Sequence, residues 1–119
     1  MKNKNNLTNL VRGGISRSSF SETSESIFLT SGFVYSTAEE AEKSFKEEKE
    51  RFMYSRFGNP TVDTFQKRMA LLEGAEACWA TSSGMSALFT ILMSYLKKGD
   101  RVVSSKALFG SCHFIITQI

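Results

Sequence analysis

Cysteine is scarce in this sequence: Cys78 and Cys112 are the only two, and their wide separation fits no metal-ligand spacing. With no disulfide framework to staple a loop-rich fold, the chain suits a reducing compartment. Cys78 lies in an apolar stretch and reads as a small core residue. Cys112 stands near an expected helix start, where a thiol pKa can fall, but an inert thiol is the plainer reading. The one histidine, His113, has no neighbouring partner for general-base or metal work and is read as structural, so no metal site is expected. The first twenty-six residues contain no apolar core segment, which excludes a signal peptide. The longest apolar run, Met85 to Leu96, is broken by Ser86, Thr90 and Ser94 and is too short to cross a bilayer. A sequon at Asn6-Leu7-Thr8 stands without other signs of secretion, and the expected location is the cytoplasm. Charge of one sign is also lacking. The net charge is +3, and the longest charged stretch, Glu39 to Arg51, mixes both signs. A nucleic-acid surface needs a concentrated basic face, so that class is set aside. Neither G-x-G-x-x-G nor G-x-x-x-x-G-K-[ST] occurs, which makes a dinucleotide or ATP site a poor fit.

The 41% hydrophobic and 23% charged residues describe a globular chain. Residues 1–36 are rich in Ser, Asn, Thr and Gly, yet Phe20, Phe28, Phe33 and Tyr35 make them too aromatic for a plain disordered tail. They read as an extended arm that packs on another part of the protein or on a second subunit. A helix is expected from Ser36-Thr37 to Arg51, opened by a capping box of Ser36 with Glu39 or Thr37 with Glu40. The pairs Glu39/Lys43, Glu42/Lys46 and Glu47/Arg51 mark a solvated face. Asn59 is a good N-cap, Pro60 suits the first helical position, and Gly74 suits the end of the next helix. Val62, Phe65, Met69 and Leu72 recur at helical spacing and predict its buried face.

Residues 75–81 read as a buried strand, Ser82-Ser83-Gly84 as a turn, Met85–Leu96 as an apolar helix closed by Lys97-Lys98-Gly99-Asp100, and residues 101–105 as a second strand. Strand, turn, helix and strand make the building block of a parallel α/β sheet. The expected division is an arm-and-helix region over residues 1–58 and the beginning of an α/β large domain over 59–119. The apolar ending Ile115-Ile116-Thr117-Gln118-Ile119 points to a truncated chain.

Three groups of residues can carry chemistry. The loop Thr81-Ser82-Ser83-Gly84-Met85 opens a helix whose first N–H groups are unpaired, and a residue without Cβ lets an anion approach. A simple tight turn accounts for the same residues. Tyr54 and Arg56 flank Ser55; if that segment is extended, both point one way and reach one anion. A surface arginine beside a half-buried tyrosine is the plainer alternative. Phe109 follows the second expected strand, at the sheet edge where ligands of α/β proteins bind, and can stack on a flat ring or simply join a core.

Together, Tyr54-Ser55-Arg56-Phe57-Gly58-Asn59-Pro60-Thr61, Leu72-Glu73-Gly74-Ala75-Glu76-Ala77, Ser82-Ser83-Gly84-Met85-Ser86-Ala87, Lys98-Gly99-Asp100 and Leu108-Phe109-Gly110 resemble the pyridoxal-phosphate (PLP) dependent Cys/Met metabolism family. The resemblance implies the type I, aspartate aminotransferase-like fold and PLP as cofactor. It implies that Ser83, Gly84 and Met85 hold the PLP phosphate, that Tyr54 and Arg56 reach the phosphate of a neighbouring subunit, and that Phe109 stacks on the pyridine ring. A homodimer with shared sites follows, commonly paired into a tetramer. Most members carry tyrosine where Phe109 stands, so the ring is kept without its hydroxyl. Val11-Arg12-Gly13-Gly14, Glu22-Thr23-Ser24-Glu25, residues 29–35 and residues 107–112 are most similar to the O-succinylhomoserine sulfhydrylase branch. The implied reaction is γ-replacement in methionine biosynthesis: succinate leaves Cγ of O-succinylhomoserine, sulfide takes its place, and homocysteine forms. The lysine and the acid that the family sets against PLP match nothing here, Lys106 included. The implied catalytic set therefore lies beyond this chain, and the isolated chain is expected to be inactive. Another reaction of the family, a non-catalytic phosphate-binding α/β domain and an oligomerisation module stay open as alternatives.

Overall fold

The computed structural model describes residues 6–118. Residues 1–5 and Ile119, the outer ends of the expected arm and large domain, lie outside the described residues. The elements are α1 (Asn6–Arg12), α2 (Ala38–Phe45), α3 (Pro60–Glu73), α4 (Gly84–Tyr95) and α5 (Gly110–Gln118). They fall into two compact units, Met1–Trp79 and Ala80–Ile119.

The first unit is organised by the start of α3. Asn59 is extended, and its Oδ1 accepts from the Thr61 N–H at 2.8 Å, the expected N-cap, with Pro60 at the opening of the helix. Gly74 ends α3 in the left-handed conformation at φ 64°, as expected. The arm lies along this helix. Phe28 N–H donates to Thr61 Oγ1 at 2.9 Å, and Asn59 Nδ2 donates to the Phe28 carbonyl at 3.0 Å. Further along, Arg68 donates to the Gly13 carbonyl at 3.0 Å and pairs with Glu25 at 2.8 Å.

Residues 6–12 were expected to be extended, but α1 is helical. A seven-residue helix is marginal alone; this one packs on α3 through the Gly13-Gly14 corner. A Cβ at Gly14, where φ is +74°, would meet Lys67 Cβ at 2.8 Å and the Thr64 carbonyl at 2.9 Å, so only glycine permits the approach. The buried face of α3 also differs from the expected one. Thr64 is buried and Arg68 nearly so, whereas Val62 and Phe65 are exposed.

Helix α2 stops at Phe45 rather than running to Arg51. Thr37 is the cap that forms, accepting from the Glu40 N–H, and Glu40 Oε2 accepts from the Ser36 N–H at 2.7 Å. Glu47 takes a positive φ of 60° and Glu48 N–H returns to the Lys43 carbonyl at 2.9 Å, which closes the helix. Of the three expected ion pairs only Glu42–Lys46 forms. Lys49 and Arg51 instead fold back onto Glu40, at 2.7 and 3.0 Å. Residues beyond the turn then run antiparallel to the arm, with Phe33 N–H on the Met53 carbonyl, Ser55 N–H on the Ser31 carbonyl and an isolated bridge between Gly32 and Tyr54.

Two carboxylates tie this unit together. The backbone N–H and then the hydroxyl of Ser18 hold Glu22 down from 4.5 to about 2. Lys49, then the Ser36 N–H, holds Glu40 at about 2. Both values are depressed on folding, so the stabilisation is complete above 4.5 and fades as pH falls toward about 2. The arm is therefore expected to loosen through that acid window, seen as faster hydrogen exchange over residues 18–40 at its lower end. Unchanged protection across the window would show that these contacts do not hold the arm.

The second unit contains α4 and α5, which pack on each other. α4 ends where the apolar run does: Lys97 N–H donates to Asp100 Oδ2 at 2.8 Å, and Gly99 turns at φ 99°. The parallel sheet expected from residues 75–81 and 101–105 is not formed; among the described residues there is no strand. A strand exists only through hydrogen bonds to neighbours in a sheet, whereas a helix closes its own. The apolar helix α4 likewise has no buried residue. Cys78 and Cys112 are both half-buried free thiols, so Cys78 is not the core residue expected.

Candidate functional site

The loop before α4 is built from its own short-range hydrogen bonds. Ser83 is extended at φ −161°, ψ 161°, and its Oγ accepts from the Ser86 N–H at 3.1 Å. Its carbonyl accepts twice, from the Ala87 N–H at 3.0 Å and from Thr81 Oγ1 at 2.8 Å. Thr81 and Ser83 thus fix the backbone on both sides of the turn. With Ser86 and Ala87 satisfied, the N–H groups of Gly84 and Met85 have no partner among the described residues. A Cβ placed on Gly84 meets no atom within 4 Å, so nothing crowds the loop at that residue. Two free N–H donors at the positive end of a twelve-residue helix fit the oxygens of a phosphate monoester.

Met85 is half-buried, and its sulfur accepts from Cys112 Sγ at 3.8 Å. The contact joins the first turn of α4 to the first turn of α5. Phe109 stands one helical turn before Cys112; its carbonyl accepts from the His113 N–H at 3.1 Å, and its ring is 73% exposed. An exposed aromatic at the entry of α5 is free to stack on a flat ligand rather than fill a core. Ser83, Gly84, Met85 and Phe109 all belong to this unit.

Tyr54 and Arg56 lie in the other unit. Their expected alternation along an extended strand does not hold, because residues 54–58 turn: Phe57 and Gly58 N–H both donate to the Tyr54 carbonyl, at 2.9 and 3.1 Å. The turn still brings the side chains together. The Arg56 guanidinium lies 5.4 Å from the Tyr54 ring centre and 5.1 Å from that of Phe57. Among the described residues Arg56 has no carboxylate partner, so the rings hold an exposed cation without neutralising it. Behind it, Ser55 Oγ donates to the Thr30 carbonyl and accepts from Asn59 Nδ2 at 2.9 Å, which anchors the turn to the cap of α3.

Thr81 belongs to the loop named from sequence, whereas Asn59 and Cys112 were not singled out as site residues. The role Thr81 takes within that loop is local: its hydroxyl binds the Ser83 carbonyl two residues on. The Cys112–Met85 contact has no sequence signal. Among the described residues no group of three His, Cys, Asp or Glu side chains stands close enough to hold a metal ion, and no helix is long and apolar enough to cross a membrane.

The chain is 53% identical over 109 residues to the O-succinylhomoserine sulfhydrylase of Mycobacterium tuberculosis, covering 92% of this chain and 27% of that one. It is 34% identical to the L-methionine gamma-lyase of Porphyromonas gingivalis, over 93% of this chain and 28% of that one. The solved O-acetylhomoserine (thiol)-lyase of Campylobacter jejuni, which carries a pyridoxyl-lysine phosphate, superposes with a TM-score of 0.86 at 27% identity, over 98% of this chain and 29% of that one. The chain thus spans about a quarter of the length of the curated relatives it matches. Residues 7–119 match the model of the Cys/Met metabolism PLP-dependent enzymes, and the chain belongs to that family.

Proposed function

We propose that this chain is the N-terminal part of a PLP-dependent enzyme that replaces the succinyl group of O-succinylhomoserine with sulfide, giving homocysteine and succinate. The open pair of N–H donors at Gly84 and Met85 carries the cofactor reading. The 53% identity to an O-succinylhomoserine sulfhydrylase supports the choice of reaction over the γ-lyases. PLP, when bound, supplies an electron sink for the negative charge that develops beside its attachment point.

The roles of this chain's own residues follow from their placement. Gly84 and Met85 N–H donate to the phosphate, and the Ser83 hydroxyl, which accepts from Ser86, keeps its own proton to donate there. Phe109 presents a ring face and no ionisable group, so it orients without moving a proton. Arg56, stacked and unneutralised, suits a second, charge-assisted contact to a phosphate, and Tyr54 adds a hydroxyl. In this reading residues 1–58 serve a neighbouring subunit, 59–119 open the PLP-binding domain, the active unit is a homodimer or a pair of them, and the enzyme works in the cytoplasm.

Assay of the full-length protein with sulfide and either O-succinylhomoserine or O-acetylhomoserine decides the reaction. Homocysteine from the succinyl ester at the higher kcat/KM is the expected result; preference for the acetyl ester, or elimination without sulfide uptake, assigns a different family reaction. Arg56→Ala is expected to weaken PLP retention roughly tenfold or more, since a hydrogen bond to a charged group contributes about 1.5–3 kcal/mol. Equilibrium dialysis measures this, and wild-type affinity would remove Arg56 from the phosphate site.

A further inference from the structure

We infer that Cys112 is a positioning residue: its contact with Met85 sets the register between the two helix starts that the cofactor must use together. This rests on the PLP reading above. Three observations carry it. The Cys112 thiol donates to the Met85 thioether at 3.8 Å, with both residues half-buried in a unit where few side chains are covered. Met85 is the second residue of α4, and its own N–H is one of the two free phosphate donors. Phe109 lies immediately before α5 and Cys112 in its first turn, and the Phe109 carbonyl accepts from the His113 N–H beside Cys112, so both belong to the entry of α5. The sulfur pair is therefore the link between the backbone that receives the phosphate and the ring that faces the pyridine. Divalent sulfur is large, polarisable and without strong directional demands, which suits a contact that must fill space between two helix ends without claiming their N–H groups.

The pair differs from the hydrogen bonds of the Ser83 cap in what it controls. Thr81, Ser83 and Ser86 shape the cradle itself. Cys112 and Met85 act across 27 residues of sequence and relate the cradle to the next helix. Loss of the contact should leave both helices folded, because each is closed by its own backbone bonds, and should loosen only their mutual placement.

The test uses the full-length holoenzyme. Cys112→Ala, which keeps helix propensity, is expected to weaken PLP retention about three- to tenfold and to reduce the visible circular dichroism of the bound cofactor, with the melting temperature of the cofactor-free protein little changed. Cys112→Val, which refills the space, is expected to restore both signals. In a double-mutant cycle the combined Cys112→Ala and Met85→Ala variant should lose no more than the worse single variant, because the two act through one contact. Wild-type retention and dichroism in Cys112→Ala, or losses that multiply in the double variant, overturn the inference and leave the PLP reading intact. A wild-type protein that binds no PLP ends both.

Discussion

Replacing Gly84 with aspartate is expected to weaken PLP retention by more than about tenfold, without weakening the fold. The two halves of this outcome have separate physical causes. A Cβ at Gly84 meets no atom within 4 Å, and its backbone is outside the left-handed region, so the fold accepts a side chain there. An acid in the first turn of a helix is moreover favourable by about 0.3–1 kcal/mol through the helix dipole. The phosphate meets the opposite situation. The new carboxylate stands in the first turn that presents the Gly84 and Met85 N–H groups, and two unit charges about 4 Å apart repel by about 4 kcal/mol at an effective dielectric of ~20. Exposure of the loop reduces that figure, and half of it still gives more than a tenfold loss. Cofactor titration and thermal melting of the same variant separate the two effects. Retention of PLP by a folded Gly84→Asp enzyme would falsify the phosphate assignment.

The second large effect concerns stability. Asn59→Ala is expected to destabilise the first unit by about 2–4 kcal/mol, summing a lost N-cap of ~1 kcal/mol and two side-chain hydrogen bonds of about 1 kcal/mol each. Asn59 is buried, accepts from Thr61 N–H, and donates both to the Phe28 carbonyl and to Ser55 Oγ. Alanine leaves the Phe28 carbonyl without that donor. Asn59→Asp splits the contributions, because it keeps the acceptor for the helix and replaces the donor with a carboxylate facing the Phe28 carbonyl. Its α3 should hold while the arm releases, read as hydrogen exchange that rises over residues 26–30 and not over 60–73. Equal protection in all three proteins would show that the arm is held by other contacts.

What could be read in advance divides by the range of the interaction. The ends of α3 were legible because Asn59, Pro60 and Gly74 act within a turn of themselves. The turn before α4 and the stop after Leu96 were legible for the same reason, though the cap that Ser83 makes there was not read in advance. The helix at residues 6–12 was not, since it depends on Arg68 and on the fit of Gly14 against Thr64. The end of α2 was missed because Glu47, a residue without turn preference, adopts a positive φ while Lys49 and Arg51 converge on Glu40. The strands at 75–81 and 101–105 have the right composition, but pairing is a property of the sheet and not of the segment. At the site, the residues of the cradle and Phe109 could be named from sequence. The turn that folds Arg56 back over Tyr54 and Phe57 could not.

No hydrophobic side chain among the described residues is buried, while Asn59, Thr64 and Ser44 are. The heat capacity of unfolding follows the apolar surface that water regains, and polar surface lowers it. Contacts of this kind therefore contribute little curvature to a stability curve and little slope to a denaturant titration. The clasp of arm on α3 supplies orientation at nearly constant strength with temperature, and the sharpness of any melting transition must come from whatever covers the apolar sides of α4.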